Sequence, residues 1–206
     1  MAPAHKPVGP LSEVDLAAQE EQIRSAMGSI LDALQINWRS DANTMDTPDR
    51  VARMLVREAC HGRVTAPPEL KVFPVDRDRG SPSTVMVGPI SFSSMCAHHF
   101  LPVLGRAWVG VQCHDVQLGL SKYARAIRWI MARPHMQEEA TEQAADLLFD
   151  AVKPRALIIL AKARHTCMTW RGVTDGPAEM STMAIRGAFH QDQALLDRFL
   201  AQMGEG

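Results

Sequence analysis

Twice along this chain the apolar residues fall into a period of two, and each time the alternating stretches come as a pair. STVMVGPISFSSM (83–95) and LGRAWVGVQC (104–113) make the first pair, and ALIILAKARHTCMTW (156–170) and MSTMAIRGAF (180–189) the second. β-Branched and aromatic residues in alternation specify strands with one buried face. Between the pairs, GLSKYARAIRWIMARP predicts a helix capped by Ser121 and stopped near Pro134. A second helix is predicted over roughly 136–152, with Ala144, Leu147, Leu148 and Val152 on one side. Strand pair, helix pair, strand pair is the order of an α+β layer: an antiparallel four-stranded sheet with a helix pair on one face. Such a sheet has two open edges, which are usually covered or paired, so oligomerisation through the sheet is expected.

The chain before residue 84 has a different texture. Residues 1–10 are expected to be a flexible tail. Ser12 caps a helix whose stripe is Ile23, Met27, Ile30, Leu31 and Leu34, and Thr47-Pro48 supplies a cap and first-turn proline for a second helix through Val51, Met54 and Leu55. From 61 to 83 the chain is rich in Pro, Arg and Asp and is expected to be mostly loop. The predicted division is a tail (1–10), an N-terminal helical region with its loop (11–83) and a catalytic domain (84–206), closed by a short helix, QALLDRFLAQM.

Bulk properties exclude some functions. A formal net charge of -1 argues against generic binding to nucleic acid or to a membrane surface, so any anion must meet a local cluster of cations. No apolar run is long enough to span a membrane, and the proline-rich start lacks the apolar core of a signal peptide. The four cysteines are too scattered for a disulfide framework, which fits a reduced, cytoplasmic setting.

Three of the hairpin's donors lie within four positions, Cys96, His98 and His99 in SSMCAHHFLP. Cys96 and His99 are three apart, which a straight strand puts on opposite faces, so they converge only if the chain turns there. Farther on, RHTCMTW offers His165 and Cys167, two apart and on the same side of a strand. Cys96, His99 and Cys167 form a soft Cys2His set that suits zinc and leaves a fourth position for water, with His98 and His165 placed to shuttle protons. The competing reading is a closed structural Cys2His2 site using His98 or His165. Cys60 and Cys113 are simplest as small buried hydrophobes. His114 and His135 lie at element ends and are expected to be solvated, and His5, His61 and His190 carry no signal.

The helix start in GLSKYAR supplies a second feature. Lys122 and Arg125 share a face of its first turn, the end at which the macrodipole disfavours cations, so an anion between them accounts for the pair better than chance. A solvated basic face is the alternative. Arg171 follows Cys167 by four positions, and Arg50 and Arg53 are three apart on the early helix. Several guanidinium groups suit a polyphosphate. Gln137 and Glu138 open the next helix and carry the donors and acceptors that a guanine needs, although acidic residues also start helices well.

Together, TPDRVARM, SFSSMCAHHFLPVLG, GLSKYARAIRW, RPHMQEEATEQ, RHTCMTWRGV and STMAIRGAF resemble, in order, segments of the GTP cyclohydrolase I family. The resemblance runs from about residue 20 to the C-terminus and is poor only over 61–83. It implies the tunnelling fold, a toroidal homodecamer and hydrolysis of GTP to 7,8-dihydroneopterin triphosphate and formate with one Zn2+ per subunit. By position it assigns zinc to Cys96, His99 and Cys167, and catalysis to His98 and His165. It assigns triphosphate to Ser121, Lys122, Arg125 and Arg171, further contacts from a neighbouring subunit to Arg50 and Arg53, and guanine to Gln137 and Glu138. One position departs: the family usually has Glu between the cysteine and the first histidine, and here it is Ala97. Two other readings stay open at this point. One is a divergent enzyme that stops at the ring-opened formamidopyrimidine or takes another purine nucleotide; the other is an idle paralogue that keeps zinc as a staple.

Overall fold

A computed structural model describes residues 6–75 and 84–203. Helix α1 (Glu13–Ala33) begins at the expected cap, where the Ser12 hydroxyl and the Asp15 carboxylate satisfy each other's backbone N–H groups. Helix α2 (Thr47–Met54) has Asp46, not Thr47, at its cap position, with no side-chain capping bond and with Pro48 inside its first turn. It continues as a π turn (Leu55–Ala59) into the short α3 (His61–Val64), so part of the expected loop is helical. Leu16, Val56 and Val64 form a small core for this region. Residues 1–5 of the expected tail lie outside the described residues, as do 76–83 of the expected loop. The rest of the tail is tied down: the Val8 N–H donates to the Arg63 carbonyl and the Leu11 N–H to that of Val64.

The strands are β1 (Val72–Pro74), β2 (Thr84–Cys96), β3 (Pro102–Gln112), β4 (Val116–Leu118), β5 (Pro134–His135), β6 (Ala156–His165) and β7 (Met180–Gly187). β1 and β4 make a small ribbon. The main sheet runs β5-β2-β3-β6-β7, antiparallel except where β5 joins the end of β2 in parallel. The expected four strands are therefore five. β5 escapes a period-based reading because it is two residues long, formed where the chain leaving α4 (Leu120–Met131) falls in beside Met95 and Cys96. This burial also corrects His135, which is buried rather than solvated, its Nε2 3.3 Å from the Met131 carbonyl.

Helices α4 and α5 (Gln137–Val152) cover one face of the sheet. There, alternate residues Ala107, Val109 and Val111 of β3 and Leu157, Ile159 and Ala161 of β6 meet Tyr123, Ile127, Ala144 and Leu148. The opposite face is covered in part as well. Trp108, Ile158 and Leu160 pack with Phe189, Leu195 and Phe199, the last two on α7 (Gln193–Met203). Gly110 makes this possible, since a Cβ there would lie 2.4 Å from the Phe199 ring. The helical region docks on α4 through a second glycine. The Gly62 N–H donates to the Ala132 carbonyl, and its own carbonyl accepts from Arg133 Nε, both at 3.0 Å.

Candidate active site

The β2–β3 hairpin and the end of β6 bring the site residues together. Between β2 and β3 the Phe100 N–H donates to the Cys96 carbonyl and the Cys96 N–H to that of Leu101, both at 2.9 Å, which closes residues 96–101 into a tight turn. Phe100 takes the left-handed conformation, at φ 54°. That turn bends His99 back toward Cys96, and Cys96 Sγ lies 3.8 Å from His99 Nδ1. Register pairs Val103 of β3 with His165 of β6. The strand ends at His165, and Cys167 sits on a single helical turn, α6 (Thr166–Thr169), so the expected strand spacing of His165 and Cys167 does not hold. The Thr166 hydroxyl donates to the Pro102 carbonyl at 2.6 Å, tying this turn to the hairpin.

As a result the donor atoms of Cys96, His99 and Cys167 all lie within 4.8 Å of one another. Tetrahedral zinc with ordinary bond lengths separates its ligand atoms by about 3.5 to 3.8 Å, so the set fits such an ion with little movement. The Cys167 thiol is pushed up by burial and by its bond to Cys96, the state of two thiols sharing a site; a cation between them reverses it. His98 projects beside His99, the rings 6.2 Å apart and nearly perpendicular. Cys60 and Cys113 stand apart as thiols held neutral by burial.

His165 is half-buried, and burial pushes its imidazole down; the nearby Glu138 carboxylate opposes this. Its Nε2 lies 2.8 Å from Oε1 of Gln137. Gln137 is itself buried, and its Nε2 faces the Ala161 carbonyl at 3.1 Å, the Met180 carbonyl at 3.2 Å and the Thr182 hydroxyl at 3.1 Å. Its amide is thus fully engaged within the chain, unlike the exposed Glu138. Gln137 therefore has a neighbour in His165 that its place at the start of α5 does not announce.

Helix α4 begins two residues earlier than expected: Gly119 holds the cap position, and no side chain caps the helix. Ser121 lies exposed in the first turn, with Lys122 half-buried and Arg125 exposed one turn on. Arg171 is exposed just after α6, close enough to Cys167 to favour its thiolate. Arg50 and Arg53 ride on α2, which packs against α1, and Arg50 pairs with Asp46 at 3.2 Å.

The sequence profile of GTP cyclohydrolase I matches residues 23–204. This chain belongs to the GTP cyclohydrolase I family. Relatives named GTP cyclohydrolase 1 include that of Rhodopirellula baltica, 37% identical over 89% of this chain and 76% of its own length. The relative from Halalkalibacterium halodurans is 37% identical over 89% of this chain and 94% of its own, and one from Saccharolobus islandicus is 33% identical over 89% and 90%. Among solved structures, the archaeosine synthase QueF-Like in the apo form overlaps 52% of this chain at 17% identity with a TM-score of 0.43, too low to bear on the fold.

Within this GTP cyclohydrolase I framework, two hydroxyls join the site that the motifs did not point to. Thr141 Oγ1 donates to the Gln137 carbonyl at 2.7 Å and meets Thr182 Oγ1 at 2.7 Å. The first could have been found from its spacing, four residues after Gln137 on one helix face. The second needs the β6–β7 register, which sets Thr182 opposite Ala161.

Proposed function

We propose that this chain catalyses the full GTP cyclohydrolase I reaction, releasing formate and 7,8-dihydroneopterin triphosphate, with one zinc ion per subunit. The convergence of Cys96, His99 and Cys167 at the foot of the hairpin, beside His98 and His165, carries this reading. Zinc held by these three residues supplies a Lewis acid that activates water at neutral pH. The chain's own groups do the rest. His98 and His165 take up and return protons as water adds at C8, the imidazole ring opens, formate leaves, the ribose rearranges and the new ring closes. Glu138 reads the guanine edge, and Lys122, Arg125 and Arg171, with Ser121, hold the triphosphate. A closed Cys2His2 staple is disfavoured, because among the described residues the converging donors are Cys96, His99 and Cys167, with neither His98 nor His165 in the group.

The reading extends to assembly. Among the described residues, the outer side of β7 has no strand partner, and β2 has one only at its last two residues. Trp170 and Val173 are 73% and 75% exposed beside the site. Edge pairing between copies, as in the tunnelling fold, would cover these features and bring Arg50 and Arg53 of a second copy to the triphosphate, in a toroidal homodecamer. No described helix is long and apolar enough to cross a membrane.

The test is product identification: zinc-loaded protein incubated with GTP and analysed by mass spectrometry. Formate with dihydroneopterin triphosphate is expected. A ring-opened formamidopyrimidine as end product would show that the later steps fail, and repeating the assay with Ala97→Glu would show whether that position is responsible. Untouched GTP would sink the reading.

A further inference from the structure

We infer that Gln137 is a positioning residue that orients His165 and holds it as the Nε2–H tautomer; this rests on the reading of the site as a GTP cyclohydrolase centre. The argument is one of donors and acceptors. A glutamine amide offers two N–H groups on one side and an acceptor on the other. Gln137 Nε2 sits 3.1 and 3.2 Å from two backbone carbonyls, Ala161 and Met180, which only accept. Turning the amide over would set its oxygen against both, so the orientation is fixed. Its oxygen therefore faces His165 Nε2 at 2.8 Å, and a bare acceptor there requires that Nε2 carry hydrogen whether the ring is neutral or charged.

The surroundings keep the amide in place. Thr141 gives its one hydroxyl hydrogen to the Gln137 carbonyl, so the short contact between Thr141 and Thr182 has Thr182 as donor. The Thr182 oxygen then remains an acceptor toward Gln137 Nε2. Two elements thus hold Gln137: the first turns of α5, and the β6–β7 pair that lines up Ala161 with Thr182. Gln137 is buried, so it acts on the reaction through His165 and not by touching substrate.

The experiment compares wild type, Gln137→Leu, His165→Ala and the double variant, with zinc content and folding checked in each. Gln137→Leu is expected to lower kcat by about 10 to 100-fold, the range for loss of an orienting partner, with KM for GTP changed by less than about twofold. Its preference for GTP over inosine triphosphate, which lacks the 2-amino group, should stay as in wild type. In the His165→Ala background the same change should cost nothing further. A raised KM with lost base preference would overturn the inference and return Gln137 to guanine recognition, and additive losses in the double variant would overturn it too. Nitrogen NMR of labelled histidine in unmodified protein gives a second readout, the His165 signal being the one absent from His165→Ala. Hydrogen on Nε2 of the neutral ring is expected, and hydrogen on Nδ1 would refute the assignment even if every Gln137 variant misfolded. Wild type inert toward GTP, yet with hydrogen on Nε2, would instead defeat the functional reading and leave the tautomer standing.

Discussion

Replacing Thr182 by valine removes one hydroxyl from the Gln137 network, and the bonds around it set the outcome. Gln137 Nε2 has two hydrogens and three acceptors, the Ala161 and Met180 carbonyls and the Thr182 hydroxyl. Without the hydroxyl, two hydrogens still face two carbonyls. Thr141 still donates to the Gln137 carbonyl and loses only a bond that it accepted. No buried donor is orphaned, so the cost is that of one ordinary hydrogen bond, about 1 kcal/mol. For a chain of this size that lowers Tm by about 2 to 4 °C. The His165 partner stays in place, so kcat should fall by no more than about twofold. Thermal unfolding followed by circular dichroism, together with steady-state turnover, measures both. A tenfold loss of kcat at unchanged Tm would show that the two carbonyls do not hold the amide, and the donor count would be wrong.

Other predictions bear on the metal, on pH and on the helix docking. Chelation should abolish turnover while leaving a cooperative unfolding transition, because the larger core, although Cys96 belongs to it, is built mainly from residues that hold no metal, such as Leu148, Leu157 and Ile159; unfolding at room temperature on chelation would restore the structural-metal reading. Cys60 and Tyr123 are pushed up by burial to about 11 and about 12, and Cys113 is raised for the same reason. The unfolded chain therefore releases these protons first, and stability in urea titrations should fall as pH rises from 8 to 10; a flat profile would contradict their burial. Arg125→Ala should raise KM for GTP far more than it lowers kcat, and an unchanged KM would remove it from the triphosphate site. Gly62→Ala places a Cβ 2.0 Å from the Trp129 carbonyl oxygen, so the helical region should undock and become protease-sensitive, with resistance as wild type counting against that contact.

Elements with strong local patterns are legible in the amino-acid sequence itself. α5, α7 and the two strand pairs depend on periodicities their own residues display, and all appear close to their expected bounds except β6, which ends at His165 rather than Trp170. What is not legible depends on partners distant in sequence. The two residues of β5 become a strand only because β2 ends beside them. The partly covered second face rests on a glycine, Gly110, whose missing side chain matters only once Phe199 lies over it. In the site, the soft donors are visible as residue types, but the turn that joins Cys96 to His99 is made by Phe100 in a conformation its type does not advertise. Gln137 stands out for its chemistry, yet nothing local names His165 as its neighbour, because its burial follows from the register of β6 and β7 and not from the helix it opens.

The metal donors also say something about the order of folding. Cys96 and Cys167 are separated by 71 positions and are joined only across β3, which pairs with β2 on one side and β6 on the other. Closing a loop of that length has an entropic cost of about 4 kcal/mol, offset only when both ladders have zipped. An ion meeting the nascent chain finds Cys96 and its neighbouring histidines alone, too few soft donors for a tight hold. High-affinity loading of a metal held by these three donors would then follow sheet assembly, and its occupancy would count finished subunits rather than guide unfinished ones.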